Sequence, residues 1–239
     1  MLLFNITKLF VSNNFLIYLR GRKKNETSML ENFTLPSFVQ IIEFLGTFAF
    51  AISGIRLASG KEFDWFGAYV VGVATAVGGG TLRDIMLGTT PFWMTDSIYL
   101  LCSALALICV ILFSKYLIRL DHTFFIFDAI GLALFTVVGI QKTLDFDFPL
   151  WVAIIMGTIT GAAGGVIRDV FINEIPLIFR KEIYAMACAI GGIVYGLALS
   201  FDLNIIVVHL LCGVSVFITR ILAVKYHICL PTLKNHENN

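Results

Sequence analysis

Charged side chains are scarce in this chain. Only 14% of its 239 residues are Asp, Glu, Lys or Arg, whereas a soluble domain normally carries about 25%. Hydrophobic residues make up 58% of the sequence, and the mean hydropathy is +0.89. The net charge of +1 offers no electrostatic basis for binding nucleic acid. The composition therefore predicts an integral membrane protein, surrounded by membrane lipid and without a nucleic-acid partner.

The sequence also lacks the common signatures of enzymes and of resident metals. It contains no Gly-x-x-x-x-Gly-Lys-Ser/Thr phosphate loop, no Gly-x-Ser-x-Gly nucleophile elbow and no His-Glu-x-x-His motif. Its five cysteines form no Cys-x-x-Cys pair and are expected to be small buried hydrophobes: Cys102, Cys109, Cys188, Cys212 and Cys229. We therefore expect no catalytic activity, no cofactor and no bound metal.

Long apolar stretches occupy most of the chain. A helix needs about 20 mostly apolar residues to cross a bilayer. Seven stretches meet this requirement: 37–57, 65–87, 98–117, 123–141, 149–172, 182–200 and 203–224. The connectors between them are short and polar. The sequence therefore predicts an all-α integral membrane protein with seven transmembrane helices.

The chain is internally duplicated. Gly-Gly-Gly-Thr-Leu-Arg-Asp at 78–84 returns as Ala-Gly-Gly-Val-Ile-Arg-Asp at 163–169, an offset of 85 residues. Between residues 43 and 99 the same offset gives 15 identities in 57 positions without a gap, which indicates that whole copies match and not the motif alone. Each copy contains three spans, so the second copy must enter the membrane from the opposite side. We therefore expect two inverted three-helix repeats followed by a seventh helix.

The duplication also predicts the division of the chain into segments. These are a peripheral N-terminal segment at 1–36, a first repeat at 37–120, a second repeat at 121–201, a seventh helix at 202–225 and a tail at 226–239.

Lysine and arginine are concentrated in the loops of one predicted side. These loops and helix ends hold Lys61, Lys115, Arg119, Arg180, Lys181, Lys225 and Lys234. The opposite loops carry mainly Asp. Under the positive-inside rule the basic side, and with it the C-terminus, is cytoplasmic. The basic cluster at 20–24 opposes this orientation unless an additional crossing precedes residue 37.

Glycines cluster in the second and fifth spans, at Gly78, Gly79, Gly80, Gly161, Gly164 and Gly165. An interior glycine weakens a helix by about 1 kcal/mol relative to alanine. Two interpretations are open. Small residues let helices pack closely in lipid, whereas consecutive glycines can unwind a helix and free its carbonyl groups toward an ion path. Recurrence at equivalent places in both copies favours the functional break.

Ionisable residues also occur at equivalent positions inside the spans: Glu43, Arg83 and Asp84 in the first copy, and Asp128, Arg168 and Asp169 in the second. A charge inside a span costs several kcal/mol unless it is paired or hydrated, so all six are expected inside the bundle. Each arginine can pair with the acid of the other motif, or the motifs can contact ions directly. The two lone acids can cap, pair with the arginines or line a cation path. His209, alone in the seventh span, is expected to be a hydrogen-bonded packing residue.

The paired motifs resemble those of the trimeric intracellular cation channels. The resemblance is closer to the bacterial branch of that superfamily, which is also labelled a glycine transporter family. It is carried by Gly-Gly-Gly-x-x-Arg-Asp at 78–84 and Gly-x-x-Gly-Gly-x-x-Arg-Asp at 161–169, and it covers about residues 37–225.

The resemblance implies a homotrimer in a bacterial inner membrane, with one pore per subunit that conducts monovalent cations, potassium above all and sodium otherwise. The Gly-broken second and fifth helices would line this pore. The motif positions associated with it would be Gly78, Gly79, Gly80, Arg83, Asp84, Gly161, Gly164, Gly165, Arg168 and Asp169, to which we add Glu43 and Asp128 as possible lining acids. A small-solute transporter, for example of glycine, is the leading alternative on the same scaffold. A structural membrane protein whose glycines only pack helices is the third.

Overall fold

The computed structural model describes residues 38–113, 123–181 and 183–229, and most of these residues are helical. Seven long helices are described: α1 (Phe38–Ser59), α2 (Trp65–Met86), α3 (Ile98–Leu112), α4 (Thr123–Asp145), α5 (Leu150–Phe171), α6 (Ala185–Ser200) and α7 (Ile205–Lys225). A one-turn helix, Phe92–Thr95, precedes α3, and a 3-10 turn, Leu177–Phe179, precedes α6. The N-terminal segment with its basic cluster, the basic residues Lys115, Arg119 and Lys234, and most of the tail lie outside the described residues.

Five of the described helices are long and apolar enough to cross a membrane: α1, α2, α4 from Phe124, α5 and α7. The helices α3 and α6 are equally apolar but shorter, with 15 and 16 residues. The predicted all-α membrane class is confirmed. Full crossings by α3 and α6 stay a prediction.

Local sequence explains where several helices begin. The side chain of Asp64 accepts a hydrogen bond from the backbone N–H of Gly67 at 2.6 Å and caps α2. Asn204 caps α7 in the same way by accepting from Ile206. Pro149 stands directly before α5, where its missing N–H and restricted φ angle cost little.

The helices α2 and α5 cross with their backbones in direct contact. Gly79 of α2 faces the carbonyl oxygen of Thr160, and Gly164 of α5 faces the carbonyl oxygen of Thr75. Gly79 comes after Thr75 in α2, whereas its partner Thr160 comes before Gly164 in α5, so the two helices run antiparallel. A Cβ atom on either glycine would overlap the facing oxygen. Only glycine permits this approach.

A second antiparallel crossing joins α1 to α4. The rings of Phe50 and Phe135, which are equivalent residues of the two copies, stack with centroids 5.4 Å apart. Gly131 leaves room for the ring of Phe50, and Gly46 leaves room for the ring of Phe135. Each contact in the two central crossings therefore has an equivalent contact with the roles of the two copies exchanged.

The helices α2 and α5 are continuous through their clustered glycines, from Trp65 to Met86 and from Leu150 to Phe171. The predicted Gly-broken second and fifth helices are therefore wrong for this structure. The glycines instead make room for close neighbours: Gly78 for Ile167, Gly80 for Phe92, Gly161 for Thr136 and Gly165 for Tyr184. Tertiary packing of this kind outweighs the low helix propensity of glycine.

An exposed ion pair joins two connectors at one end of the bundle. Nζ of Lys61, between α1 and α2, lies 2.5 Å from Oε1 of Glu174, between α5 and α6. The hydrogen bond and positive charge of Lys61 lower the pKa of Glu174. Arg180 lies 3.5 Å from the other carboxylate oxygen of Glu174. Lys61 and Arg180, which the loop charges assign to one side, are thus at the same end of the molecule.

Replacing Gly79 by alanine is expected to destabilise the protein. The added methyl overlaps a backbone oxygen that can move only with its helix, and such overpacking typically costs about 1–3 kcal/mol. Gly164→Ala is expected to behave alike because its contact is reciprocal. Thermal unfolding of the purified protein in detergent measures the effect.

The matched control is Gly213→Ala in α7, where the nearest neighbouring atom to a Cβ would be Cγ2 of Val137 at 3.7 Å. It is expected to leave stability unchanged or raise it by up to about 1 kcal/mol through helix propensity. Equal unfolding temperatures for Gly79→Ala and Gly213→Ala would contradict the packing role.

Candidate functional site

A buried arginine connects three helices of the first copy. Arg83 of α2 is fully buried, and its Nε donates to Oδ1 of Asp84 at 2.8 Å. Nη2 of Arg83 donates to Oε1 of Glu43 in α1 at 3.2 Å. The hydroxyl of Tyr99 in α3 donates to the other oxygen of Glu43 at 3.0 Å. The guanidinium is therefore neutralised by two carboxylates inside the bundle.

Asp84 is itself held from two further sides. Its Oδ2 accepts the backbone N–H of Phe92 at 2.9 Å, at the start of the one-turn helix before α3. The ring of Phe92 lies 5.6 Å from the guanidinium of Arg83. Nζ of Lys142, which comes from α4 in the other copy, lies 2.9 Å from Oδ1 of Asp84. We call Glu43, Arg83, Asp84, Tyr99 and Lys142 the first network.

The second copy repeats this arrangement. Arg168 of α5 is fully buried, with Nη1 2.5 Å from Oδ1 of Asp128 and Nε donating to Oδ1 of Asp169 at 2.9 Å. Oδ2 of Asp169 accepts the backbone N–H of Leu177 at 2.9 Å, in the 3-10 turn before α6. The hydroxyl of Tyr184 donates to Asp128 at 3.4 Å. These residues form the second network, and each contact has its counterpart 85 positions earlier.

The six predicted ionisable residues thus come together in two groups, each within one copy. Pairing of each arginine with the acid of the other motif does not occur. The antiparallel crossing explains why, since Arg83 lies four residues beyond Gly79 and Arg168 four residues beyond Gly164 in the opposite direction. Thr75 of α2 lies level with Gly164 of α5. Arg83 is eight residues from that level in one direction and Arg168 is four residues from it in the other, so the two arginines are 12 residues, or about 18 Å, apart along the helix axes.

The two networks differ in residues that break the repeat. Lys142 corresponds to Leu57 in the other copy, so only Asp84 has a lysine partner. Ser53 corresponds to Val138, and its Oγ accepts a hydrogen bond from Nη1 of Arg168 at 2.8 Å. Two cations balance two carboxylates in the first network. In the second, Arg168 faces two carboxylates, and a further buried cation, Arg220, lies over the ring of Tyr184 at 4.9 Å.

Sequence reasoning missed four members of these networks. The two tyrosines had a signal, because Ile98-Tyr99 returns as Ile183-Tyr184 at the repeat offset. Lys142 and Ser53 had none, because neither has a counterpart in the other copy. The described residues also contain no cluster of His, Cys, Asp and Glu that could hold a metal ion.

Neutralising one carboxylate of a network is expected to destabilise the fold. Glu43→Gln and Asp128→Asn preserve shape but remove a charge from a buried arginine. A hydrogen bond to a charged group contributes about 1.5–3 kcal/mol, so each variant should lose an amount of that order.

Glu62→Gln, at an exposed connector residue, is the matched control and should change stability by less than about 0.5 kcal/mol. Thermal unfolding of all three variants under one condition provides the comparison. Network variants as stable as the control would show that the carboxylates do not compensate the arginines.

Comparison with known proteins matches both copies. The family described as Glycine transporter matches residues 40–115 and 125–200, two segments that differ by the repeat offset of 85. A UPF0126 membrane protein of Vibrio cholerae is 42% identical over 199 residues, covering 82% of this chain and 83% of that protein. The UPF0126 inner membrane protein YadS of Escherichia coli strain K12 is 40% identical over 200 residues, covering 82% of this chain and 97% of that one.

A solved structure agrees with these relatives. The chain is similar to the TRIC trimeric intracellular cation channel orthologue from Rhodobacter sphaeroides, with a TM-score of 0.75 and 30% identity. The alignment covers 79% of this chain and 98% of that one. With the duplicated motif and both buried networks, these matches show that the chain belongs to the glycine transporter family, the bacterial branch of the trimeric intracellular cation channel superfamily.

Proposed function

We propose that this protein is a homotrimeric channel for monovalent cations, chiefly potassium, in a bacterial inner membrane, and that it has no enzymatic activity. The observation that carries the proposal is the pair of buried arginine–carboxylate networks at opposite ends of one antiparallel helix crossing. Ionisable side chains within membrane spans generally mark ion pathways. The similar structure from Rhodobacter sphaeroides is described as a trimeric cation channel, which supports the trimeric assembly and cations as the conducted ions. YadS is named an inner membrane protein, which supports the proposed location.

The proposed architecture is two inverted repeats, residues 37–120 and 121–201, followed by the seventh helix. Two antiparallel contacts support it: the equivalent residues Phe50 and Phe135 stack, and the contacts Gly79–Thr160 and Gly164–Thr75 are equivalent to each other. A pseudo-two-fold axis in the membrane plane would relate the two halves.

One pathway per subunit would run beside α2 and α5 and pass the two networks in series. Its lining would include Gly78, Gly79, Gly80, Arg83, Asp84, Gly161, Gly164, Gly165, Arg168, Asp169, Glu43 and Asp128. At the crossing itself the backbones touch, so this arrangement corresponds to a closed path there. Opening would come from a shift of one helix against the other. At Gly79 and Gly164 the contact is between glycine and backbone, so the side chain of Ile167 against Gly78 is the interlocked group that such a shift would have to move.

The carboxylates of both networks are the groups that would attract cations. The second network holds two carboxylates around Arg168, with Arg220 over its Tyr184, and the partly exposed Lys142 is the additional cation of the first network. Lys142 is 29% exposed, so it can leave Asp84 more easily than the fully buried Arg83 can. Departure of the lysine would leave a carboxylate available to a passing cation.

A second candidate is a transporter of glycine or a similar small solute. The observation in its favour is the description of the family that matches both copies. Turnover separates the two candidates, because an alternating-access carrier does not produce resolvable unitary currents.

Purified protein in planar bilayers under a potassium chloride gradient is expected to show unitary currents that reverse near the potassium potential. Asp169→Asn removes a carboxylate from the second network and should lower the permeability ratio of potassium to chloride several-fold. Asp202→Asn, in an exposed connector, is the control and should leave the ratio unchanged. Uptake of glycine without unitary currents would instead establish the transporter.

The orientation is tested with matched serine-to-cysteine variants in a background without native cysteines. Ser59 ends α1 on the basic side, Ser97 precedes α3 on the other, and both are exposed. If the basic side and the C-terminus are cytoplasmic, an impermeant thiol reagent should label Ser97→Cys but not Ser59→Cys in intact cells with a permeable outer membrane. The reverse pattern would invert the proposed topology.

A further inference from the structure

The two networks hold their tyrosines by different means. In the first network the ring of Tyr99 stacks on Phe44, with centroids 4.8 Å apart, and meets Phe92 in a T-shaped contact at 4.5 Å. At the repeat offset these two phenylalanines correspond to Ala129 and Leu177, which carry no ring. The aromatic packing that fixes the first tyrosine is therefore not repeated by the residues at those positions of the second copy.

A buried arginine of the seventh helix lies against the second tyrosine instead. The guanidinium of Arg220 is 4.9 Å from the centroid of the Tyr184 ring and 5.1 Å from that of Phe125 in α4. Both distances are within the range of a cation–π interaction. Nη1 of Arg220 also donates a hydrogen bond to the carbonyl oxygen of Ile183 at 2.8 Å. One side chain therefore holds both the ring of Tyr184 and the backbone of the residue before it.

Burial makes this contact difficult to release. Arg220 is fully buried, five residues before α7 ends at Lys225. A guanidinium inside a membrane span needs compensating groups, because water does not reach it there. Cation–π attraction is also stronger between desolvated groups. Arg220 therefore cannot exchange the tyrosine ring for solvent, in contrast to the partly exposed Lys142 of the first network.

We propose that Arg220 is a positioning residue of the second network. It fixes the ring and the backbone at Tyr184 and so keeps the tyrosine hydroxyl, 3.4 Å from Oδ1 of Asp128, within hydrogen-bond reach of that carboxylate. The seventh helix, which lies outside the duplication, thereby controls the geometry of an acid on the proposed ion path. The relevance of Asp128 to conduction rests on the proposed function, whereas the hold on Tyr184 does not.

The test observes Tyr184 directly in the intact protein in phosphatidylcholine nanodiscs. The protein is labelled with tyrosine that carries carbon-13 at Cζ, because the chemical shift of this carbon responds to the hydrogen bonding of the phenol. Tyr184→Phe and Tyr99→Phe assign the two network signals. Arg220→Met should move the Tyr184 signal and leave the Tyr99 signal, which belongs to the other network, in place.

Further variants separate the charge of the side chain from the space that it fills. Lysine and methionine are similar in length, but only lysine keeps a cation for the ring and an N–H donor for Ile183. Arg220→Lys should therefore leave the Tyr184 signal closer to its original position than Arg220→Met does. Lys225→Met is the matched control, because it removes an exposed cation 5.6 Å from the centroid of the Tyr226 ring on the same helix. It should leave the Tyr184 signal unchanged.

A stability cycle tests whether Arg220 acts through the tyrosine hydroxyl. Unfolding temperatures in detergent are compared for Arg220→Met, Tyr184→Phe and the double variant. Phenylalanine keeps the ring under the guanidinium and removes only the hydroxyl. If Arg220 holds that hydroxyl on Asp128, its replacement already weakens the hydrogen bond. The double variant should then lose less than the sum of the two single losses.

Three results would overturn the proposal. The first is a Tyr184 signal that stays in place in Arg220→Met or moves equally in Arg220→Met and Arg220→Lys, which would reduce the arginine to a space-filling side chain. The second is an equally large movement of the Tyr99 signal, which would indicate general disruption of the fold. The third is additivity in the stability cycle. None of these measurements depends on ion conduction, so failure of the proposed channel activity would be recognised separately.

Discussion

The backbone contact between α2 and α5 determines how the remainder of the molecule is arranged. Gly79 and Gly164 each face a carbonyl oxygen of the other helix, and no larger residue fits at either place. The contact is antiparallel, so identical Arg-Asp motifs extend from it in opposite directions and end about 18 Å apart. Each guanidinium is therefore compensated by carboxylates of its own copy. The same contact keeps both helices continuous, because the packing that glycine allows outweighs its weak helix propensity.

Buried charge is the second constraint, and it explains the design of the connectors as well as the spans. Arg83 and Arg168 are fully buried, and an uncompensated arginine in such surroundings would be strongly destabilising. The backbone N–H groups of Phe92 and Leu177 help to hold the acids in place, so the short turns before α3 and α6 belong to the networks. The repeat is broken at Lys142 and Ser53, so Asp84 has a lysine partner and Arg168 has a hydroxyl partner, and neither partner has an equivalent in the other network.

The seventh helix has no counterpart in the duplication. Its His209 bonds to Gln141 of α4 through one nitrogen, which confirms the expected packing role, but the other nitrogen has no partner in the described structure. Its Gly213 meets no close neighbour, in contrast to the glycines of the central crossings. The added helix thus packs on the core that the two copies form and leaves the contacts between equivalent residues unchanged.

The sequence by itself determined the membrane class, the approximate position of each helix and the six buried ionisable residues. Composition and hydropathy are properties of single residues and short windows, so they need no knowledge of tertiary contacts. The repeat offset likewise identifies equivalent positions without any knowledge of packing. Tertiary structure alone decided that α2 and α5 stay helical through their glycines. Helix propensity describes a glycine in an isolated helix and leaves out the stabilising contact with the backbone of a neighbouring helix. Tertiary structure also decided which acid compensates which arginine, and it brought in Lys142 and Ser53. Those partners depend on which residues lie level where two helices cross, and a single sequence does not show that level even when it predicts the inversion of the second copy.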